Sequence, residues 1–85
     1  MPWFLYLLEC KGNRLYAGIS PDPQARFLLH QSGKGAKFTR ANPPLRLLAL
    51  QAHADRSAAS IAEHQLKKLT RPAKLQWAAQ WAVSA

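Results

Sequence analysis

The chain has 85 residues, and its 12 Lys and Arg outnumber its 4 Asp and Glu to give a formal net charge of +8. This length and a hydrophobic fraction of 48% predict a single domain, residues 1–85, with one core. Apolar runs are too short for a transmembrane helix, the N-terminus lacks a signal-peptide pattern, and a single cysteine excludes an internal disulfide. We therefore expect a cytoplasmic protein with no membrane partner and with a polyanionic one, nucleic acid being the first candidate.

Two apolar, aromatic-rich segments open the chain and flank a short turn sequence. Residues 3–8 read WFLYLL, residues 14–19 read RLYAGI, and Lys11-Gly12-Asn13 lies between them. This pattern predicts a β-hairpin. Each strand carries one tyrosine, Tyr6 or Tyr16, and a buried phenol needs a hydrogen-bond partner.

The length of the turn decides whether the two tyrosines share a face of the sheet. A two-residue loop would place them on opposite faces, because side chains alternate along a strand. We favour a three-residue loop, since Asn13 can adopt the left-handed conformation that ends such a loop. The pairs that follow are Cys10 with Arg14, Leu8 with Tyr16, and Tyr6 with Gly18. Gly18 is then expected to leave space beside Tyr6 for a ligand or a backbone.

The segment after the hairpin has the signals of a helix. Asp22 is a good N-cap, Pro23 suits the first helical position, and Gly33 can end the helix after Gln31 or Ser32. Arg26 and His30 are four residues apart and should share one face of it. Phe27 and Leu28 are expected to face the core.

Residues 33–44 combine two glycines, three cations and a proline pair, and they predict a loop. They lack the spacing of a phosphate-binding P-loop. The segment is either a solvated surface loop or a basic arm that contacts phosphates through Lys34, Lys37 and Arg40. The net charge favours the second interpretation.

The rest of the chain predicts one strand and two helices. Residues 45–50 form the strand, Asp55 caps a helix over 56–69, and Thr70 caps a helix over 71–81, while residues 83–85 are predicted to fray. The predicted order is β-β-α-β-α-α. It indicates an α+β fold with a three-stranded antiparallel or mixed sheet flanked by helices.

The carboxylates provide few candidates for chemistry. Asp22 and Asp55 are explained as helix caps, and Glu9 ends the first strand, which leaves Glu63 in the middle of a helix. Glu63 can pair with Lys67 four residues later, or it can hold one Mg²⁺ ion that keeps most of its waters. No paired carboxylates indicate a two-metal nuclease or a glycosidase, and the histidines lack metal-ligand spacing.

Several residues in order resemble the GIY-YIG nuclease domain, and most closely its small stand-alone bacterial (UPF0213-like) members. They are Tyr6, Tyr16, Gly18, Arg26, His30 and Glu63, together with the loop at 31–37 and the sequence Asp55-Arg56-Ser57. The resemblance spans residues 3 to about 74. The chain departs from the family in Phe4-Leu5, in Ala17, and in having no asparagine after Asn42.

The resemblance implies a nuclease with a single Mg²⁺ or Mn²⁺ ion bound by Glu63. Tyr6 or Tyr16 would be the general base, Arg26 would clamp the phosphate, and Gly18 would shape the site. His30 would orient a tyrosine or protonate an oxygen. A free phenol has a pKa near ~10, so protonated His30, Arg26 and the metal would have to lower it.

We therefore expect a metal-dependent DNA endonuclease, structure-selective or weakly sequence-specific, that acts in repair or recombination. RNA is the alternative substrate, and the sequence leaves the oligomeric state open. One alternative function is a non-catalytic nucleic-acid-binding module on the same fold. Another is a protein-interaction domain that uses Trp77 and Trp81 as exposed anchors.

Overall fold

The computed structural model describes residues 2–83 and contains three strands and four helices. They are β1 (Trp3–Cys10), β2 (Arg14–Ser20), α1 (Pro23–Gln31), α2 (Lys37–Ala41), β3 (Pro44–His53), α3 (Arg56–Lys67) and α4 (Arg71–Gln80). The strands form one antiparallel sheet in the order β2-β1-β3, so β1 lies in the centre. The predicted α+β class with a three-stranded sheet is confirmed.

The hairpin has the predicted register. Cys10 pairs with Arg14, Leu8 with Tyr16, and Tyr6 with Gly18. Asn13 has a φ of 62°, as expected at the end of a three-residue loop. The Arg71 guanidinium donates to the Asn13 carbonyl at 2.5 Å and to its side-chain oxygen at 2.9 Å, which ties the turn to the start of α4.

The alternation of side chains along β1 divides the interior into two layers. Leu5 and Leu7 pack on one face with Leu66 of α3 and Ala78 of α4. Tyr6 and Leu8 pack on the other face, which the half-buried Phe27 of α1 helps to cover. Both tyrosines therefore lie on the α1 side of the sheet.

The long helices begin where the sequence predicts. Asp22, Asp55 and Thr70 are their N-caps, and each side chain accepts a backbone N–H from the first turn. The interior face of α1 differs from the prediction, because Leu28 is 64% exposed and His30 is fully buried. A buried histidine at the end of α1 therefore needs hydrogen-bond partners.

The prediction of a continuous loop over 33–44 was wrong. Residues 37–41 form the short helix α2, which begins after Ala36 without a side-chain cap. A five-residue helix is too short to be stable by itself. Tertiary contacts hold it, since Thr39 in its middle is completely buried.

The segment after α4 pairs with the outer edge of β3. Leu50 N–H donates to the Trp81 carbonyl at 3.0 Å, and Val83 N–H donates to the Leu48 carbonyl at 3.2 Å. Val83 is thus paired rather than frayed, and residues 84–85 lie outside the described part of the chain. Trp77 packs on the core, whereas Trp81 is 42% exposed.

No helix among residues 2–83 is long and apolar enough to cross a membrane.

Leu7 lies in the central strand and is fully buried, so Leu7→Ala should lower the free energy of unfolding by about 2–5 kcal/mol. Leu28→Ala is the matched control, because Leu28 is largely exposed and its loss should cost less than about 0.5 kcal/mol. Urea unfolding followed by circular dichroism measures both. Equal stability losses would contradict the two-layer arrangement.

Candidate active site

A buried hydrogen bond joins the first strand to the first helix. The Tyr6 hydroxyl lies 3.0 Å from His30 Nε2. Tyr6 is 1% exposed and His30 is 0% exposed, so bulk water does not compete for this bond. The hairpin and the C-terminal turn of α1 are thereby fixed relative to each other.

The partners of His30 determine which of its nitrogens carries the proton. Its Nδ1 lies 2.8 Å from the Thr39 hydroxyl, which itself lies 2.8 Å from the Ala36 carbonyl. A carbonyl only accepts, so Thr39 donates its one proton to Ala36 and must accept from His30 Nδ1–H. Neutral His30 therefore accepts from Tyr6 at Nε2. The three hydrogen bonds are thus donated in one direction, from Tyr6 to His30, from His30 to Thr39, and from Thr39 to the Ala36 carbonyl.

Burial keeps both side chains of this pair neutral. It raises the pKa of Tyr6 to about 12, an effect that Tyr16 adds to and the Arg26 guanidinium opposes. Burial also lowers the pKa of His30 below 6.5, and the positive charge of Arg26 lowers it further. The expectation that protonated His30 lowers a tyrosine pKa is therefore wrong at neutral pH.

This pKa shift links His30 to stability. The folded state resists protonation of a histidine whose pKa is lowered, whereas the unfolded state takes up the proton near pH 6.5. The contribution of neutral His30 is therefore present above pH 6.5 and is lost as the pH falls through its folded pKa.

Tyr16 is the more accessible tyrosine. It is half-buried, and its ring lies edge-on to His30 with centroids 5.2 Å apart. Phe38 of α2 stacks against it at 5.7 Å with an interplanar angle of 23°. The Lys67 ammonium lies 6.0 Å from the ring centroid of Tyr16. The ring of Tyr16 therefore packs against the rings of His30 and Phe38 and has the Lys67 cation nearby.

Glu63 belongs to the same region as the tyrosines. Its carboxylate accepts from Lys67 at 3.1 Å, and the Glu63 side chain is 21% exposed. Its negative charge also contributes to the raised pKa of Tyr6. Lys67 connects the two parts of the site, since it pairs with Glu63 and approaches Tyr16.

The donor set around Glu63 limits what it could hold. Among residues 2–83 there is no cluster of three His, Cys, Asp or Glu side chains. That excludes a closed transition-metal site built from these described residues. A single partly exposed carboxylate fits Mg²⁺ or Mn²⁺, which keep several waters and take further oxygens from a phosphate.

The predicted cations lie on two helices and on the loop between them. Arg26 is exposed on α1, and its charge acts on the Tyr6 hydroxyl. Lys37 and Arg40 are exposed on α2, the helix that supplies Phe38 and Thr39.

Lys34 is also exposed and precedes α2 in the loop. Of these three candidate phosphate contacts, Lys37 and Arg40 lie on the helix that borders the site.

Two glycines allow the close packing of the buried pair. A Cβ at Gly18 would overlap the phenol of Tyr6, and a Cβ at Gly35 would overlap the imidazole of His30. The expected space for a ligand beside Gly18 is therefore filled by Tyr6 itself. Both glycines act by letting backbone approach a ring.

The sequence did not predict the roles of Thr39, Phe38 and Gly35. All three lie in the segment that was predicted to be a continuous loop, so no helix face was assigned to them. The one available signal was the spacing of Lys37 and Arg40, which share a face if the segment is helical.

Comparison with known proteins identifies the family. The GIY-YIG catalytic domain matches residues 2–76. The chain belongs to the GIY-YIG family. A UPF0213 protein of Xanthomonas axonopodis pv. citri is 51% identical to it, over 89% of this chain and 74% of the relative. A UPF0213 protein of Escherichia coli O1:K1 is 45% identical, over 99% of this chain and 84% of the relative.

A solved relative supports the fold. The solution NMR structure of a UPF0213 protein from Bacillus halodurans is 39% identical and gives a TM-score of 0.59, over 94% of this chain and 85% of that chain. The resemblance to the GIY-YIG domain is thus confirmed, and so is the similarity to the small UPF0213 proteins. Membership of the GIY-YIG family implies nuclease chemistry on a nucleic-acid substrate.

Thr39→Val keeps the shape of the side chain but removes the acceptor for His30 Nδ1–H. A buried donor is then left unpaired, so the free energy of unfolding should fall by about 1–3 kcal/mol. Thr39→Ser keeps the hydroxyl and is the control. Urea unfolding measures stability, and ¹⁵N NMR of the imidazole measures the tautomer. Wild-type stability in Thr39→Val, or a wild-type imidazole protonated at Nε2 instead of Nδ1, would contradict the proposed direction of the chain.

Proposed function

We propose that this GIY-YIG protein hydrolyses phosphodiester bonds in DNA with the help of one divalent metal ion. The observation that carries the proposal is the arrangement around the buried Tyr6–His30 pair. Tyr16 packs on both rings, Lys67 joins Glu63 to Tyr16, and the charge of Arg26 acts on the Tyr6 hydroxyl. A phosphate-binding cation, a phenol and a carboxylate are the groups that such a hydrolysis needs.

Arg26 is the proposed phosphate clamp. Its guanidinium is exposed and can form two parallel hydrogen bonds to phosphate oxygens. The phosphate gains negative charge as water attacks, so a fixed cation stabilises the transition state more than the bound substrate. The effect of its positive charge on the Tyr6 hydroxyl supports the assignment, because a phosphate bound by Arg26 would then lie beside the tyrosines.

Burial supports Tyr16 as the general base and Tyr6 as a positioning residue. Tyr6 is 1% exposed, and it donates its proton to His30. Tyr16 is partly exposed and lies near the Lys67 ammonium, so its hydroxyl can contact an attacking water. Of the two proposed roles of His30, orientation of a tyrosine is favoured, because both ring nitrogens are already hydrogen-bonded.

Glu63 is the proposed ligand of a single Mg²⁺ or Mn²⁺ ion. Such an ion would act there as a Lewis acid on a phosphate oxygen. Lys67 already pairs with this carboxylate, and it keeps positive charge beside the tyrosines. A metal ion on Glu63 would therefore add to the positive charge that Lys67 already places near Tyr16.

Substrate choice should depend on the backbone more than on base sequence. The net charge of +8 and the exposed Lys34, Lys37 and Arg40 favour phosphate contacts, which weaken with salt. We propose weak sequence specificity, DNA rather than RNA as substrate, and a role in repair or recombination. The protein would act as a single domain in the cytoplasm.

A non-catalytic nucleic-acid-binding module is the second candidate. The excess of exposed cations favours it, because the same charges bind a polyanion whether or not hydrolysis follows. Cleavage assays separate the two functions.

Glu63→Ala and Arg26→Ala should each reduce cleavage by roughly 100-fold or more, because they remove the metal ligand and the phosphate clamp. The measurement is cleavage of end-labelled duplex, nicked, branched and single-stranded DNA with Mg²⁺ or Mn²⁺. Glu9→Ala and Arg56→Ala are matched controls, since they remove an ion-paired glutamate and an exposed arginine. Both controls should cleave like wild type.

The pattern of losses distinguishes the candidates. Binding by wild type without cleavage of any substrate would favour the binding module. Equal cleavage by all five proteins would contradict the proposed site and indicate a contaminating nuclease.

A further inference from the structure

Phe38 places an aromatic ring at the surface of the site. It is 37% exposed, and its ring stacks on Tyr16 with centroids 5.7 Å apart. A single exposed hydrophobic side chain is ordinary in a folded protein. What distinguishes Phe38 is that its ring contacts the tyrosine proposed to activate water.

The position of Phe38 is fixed from two sides. The next residue, Thr39, is fully buried and hydrogen-bonded to His30, so α2 is anchored to the interior. The stack on Tyr16 holds the ring itself. A rigid aromatic ring loses little conformational entropy when a ligand packs against it.

The charges beside Phe38 match a nucleic-acid strand. Lys37 and Arg40 are exposed on the same short helix, and they lie three residues apart. Proteins that bind single strands combine cations that follow the backbone with aromatic rings on which bases stack. Phe38 provides such a ring on the short helix that also carries these two exposed cations.

We infer that Phe38 is a stacking platform for an unpaired nucleobase beside the phosphodiester that the site cleaves. In a duplex both faces of a base are covered by its neighbours, so the base must first leave the stack. The substrate class is therefore a single-stranded segment rather than continuous duplex. This inference rests on the proposed nuclease function and specifies its substrate.

The test measures binding, with chelator present so that no metal supports cleavage. Fluorescence anisotropy compares a labelled 12-nucleotide single strand, about the length of one binding site, with its duplex. Phe38→Leu keeps apolar bulk over Tyr16 but removes the aromatic face, and Phe38→Trp restores one. We expect Phe38→Leu to weaken single-strand binding about fivefold or more and to change duplex binding less than about twofold. Phe38→Trp should bind at least as well as wild type.

Abasic substitution identifies the stacked base. One abasic nucleotide is placed at each position of the single strand in turn. We expect the abasic positions that weaken binding to wild type to cause no further loss in Phe38→Leu.

The outcomes separate this inference from the proposed function. An equal loss for single strand and duplex in Phe38→Leu, or independent losses in the abasic series, would overturn stacking. Wild type that binds neither DNA would overturn the inference, while the cleavage assay with metal tests the nuclease separately. A loss confined to single strands in a protein that cleaves nothing would support stacking and contradict the nuclease.

Discussion

The site depends on one buried chain of hydrogen bonds that joins three elements of the fold. It runs from Tyr6 on β1 to His30 on α1, then to Thr39 on α2 and the Ala36 carbonyl before that helix. Each donor in the chain has one acceptor, so the tautomer of His30 is set by the fold. An unpaired donor or acceptor in this buried chain would lower the stability of the fold. The hydrogen bonds therefore hold the rings of Tyr6 and His30, against which Tyr16 packs, in fixed positions.

This constraint separates the residues that build the site from those that can touch a substrate. Tyr6 and His30 are buried and fully hydrogen-bonded, and they hold the wall of the site. Tyr16, Arg26 and Glu63 retain exposure at its surface. Lys67 links Glu63 to Tyr16 and keeps positive charge where we propose that the phosphate binds.

Local chemistry predicted much of the fold and some of the site. Asn13 determined the hairpin register, and Asp22, Asp55 and Thr70 located the starts of the long helices. The helix α2 was missed because its stability comes from Thr39 and Phe38, whose partners are distant in sequence. For the same reason the sequence could not show that His30 is buried, which lowers its pKa and disfavours the protonated form that was expected. Burial and tautomer depend on tertiary packing, and a sequence pattern does not contain them.

The measurement that tests this account most directly compares Tyr16→Phe with Tyr6→Phe, in cleavage rate at saturating protein and in free energy of unfolding. Tyr16→Phe should lose about 100-fold or more in rate and little stability, because a general base contributes about 10²–10⁴. Tyr6→Phe should lose about 1–3 kcal/mol of stability and less rate, because His30 Nε2 is left unpaired. The reverse order, with Tyr6→Phe inactive and Tyr16→Phe active, would contradict the account.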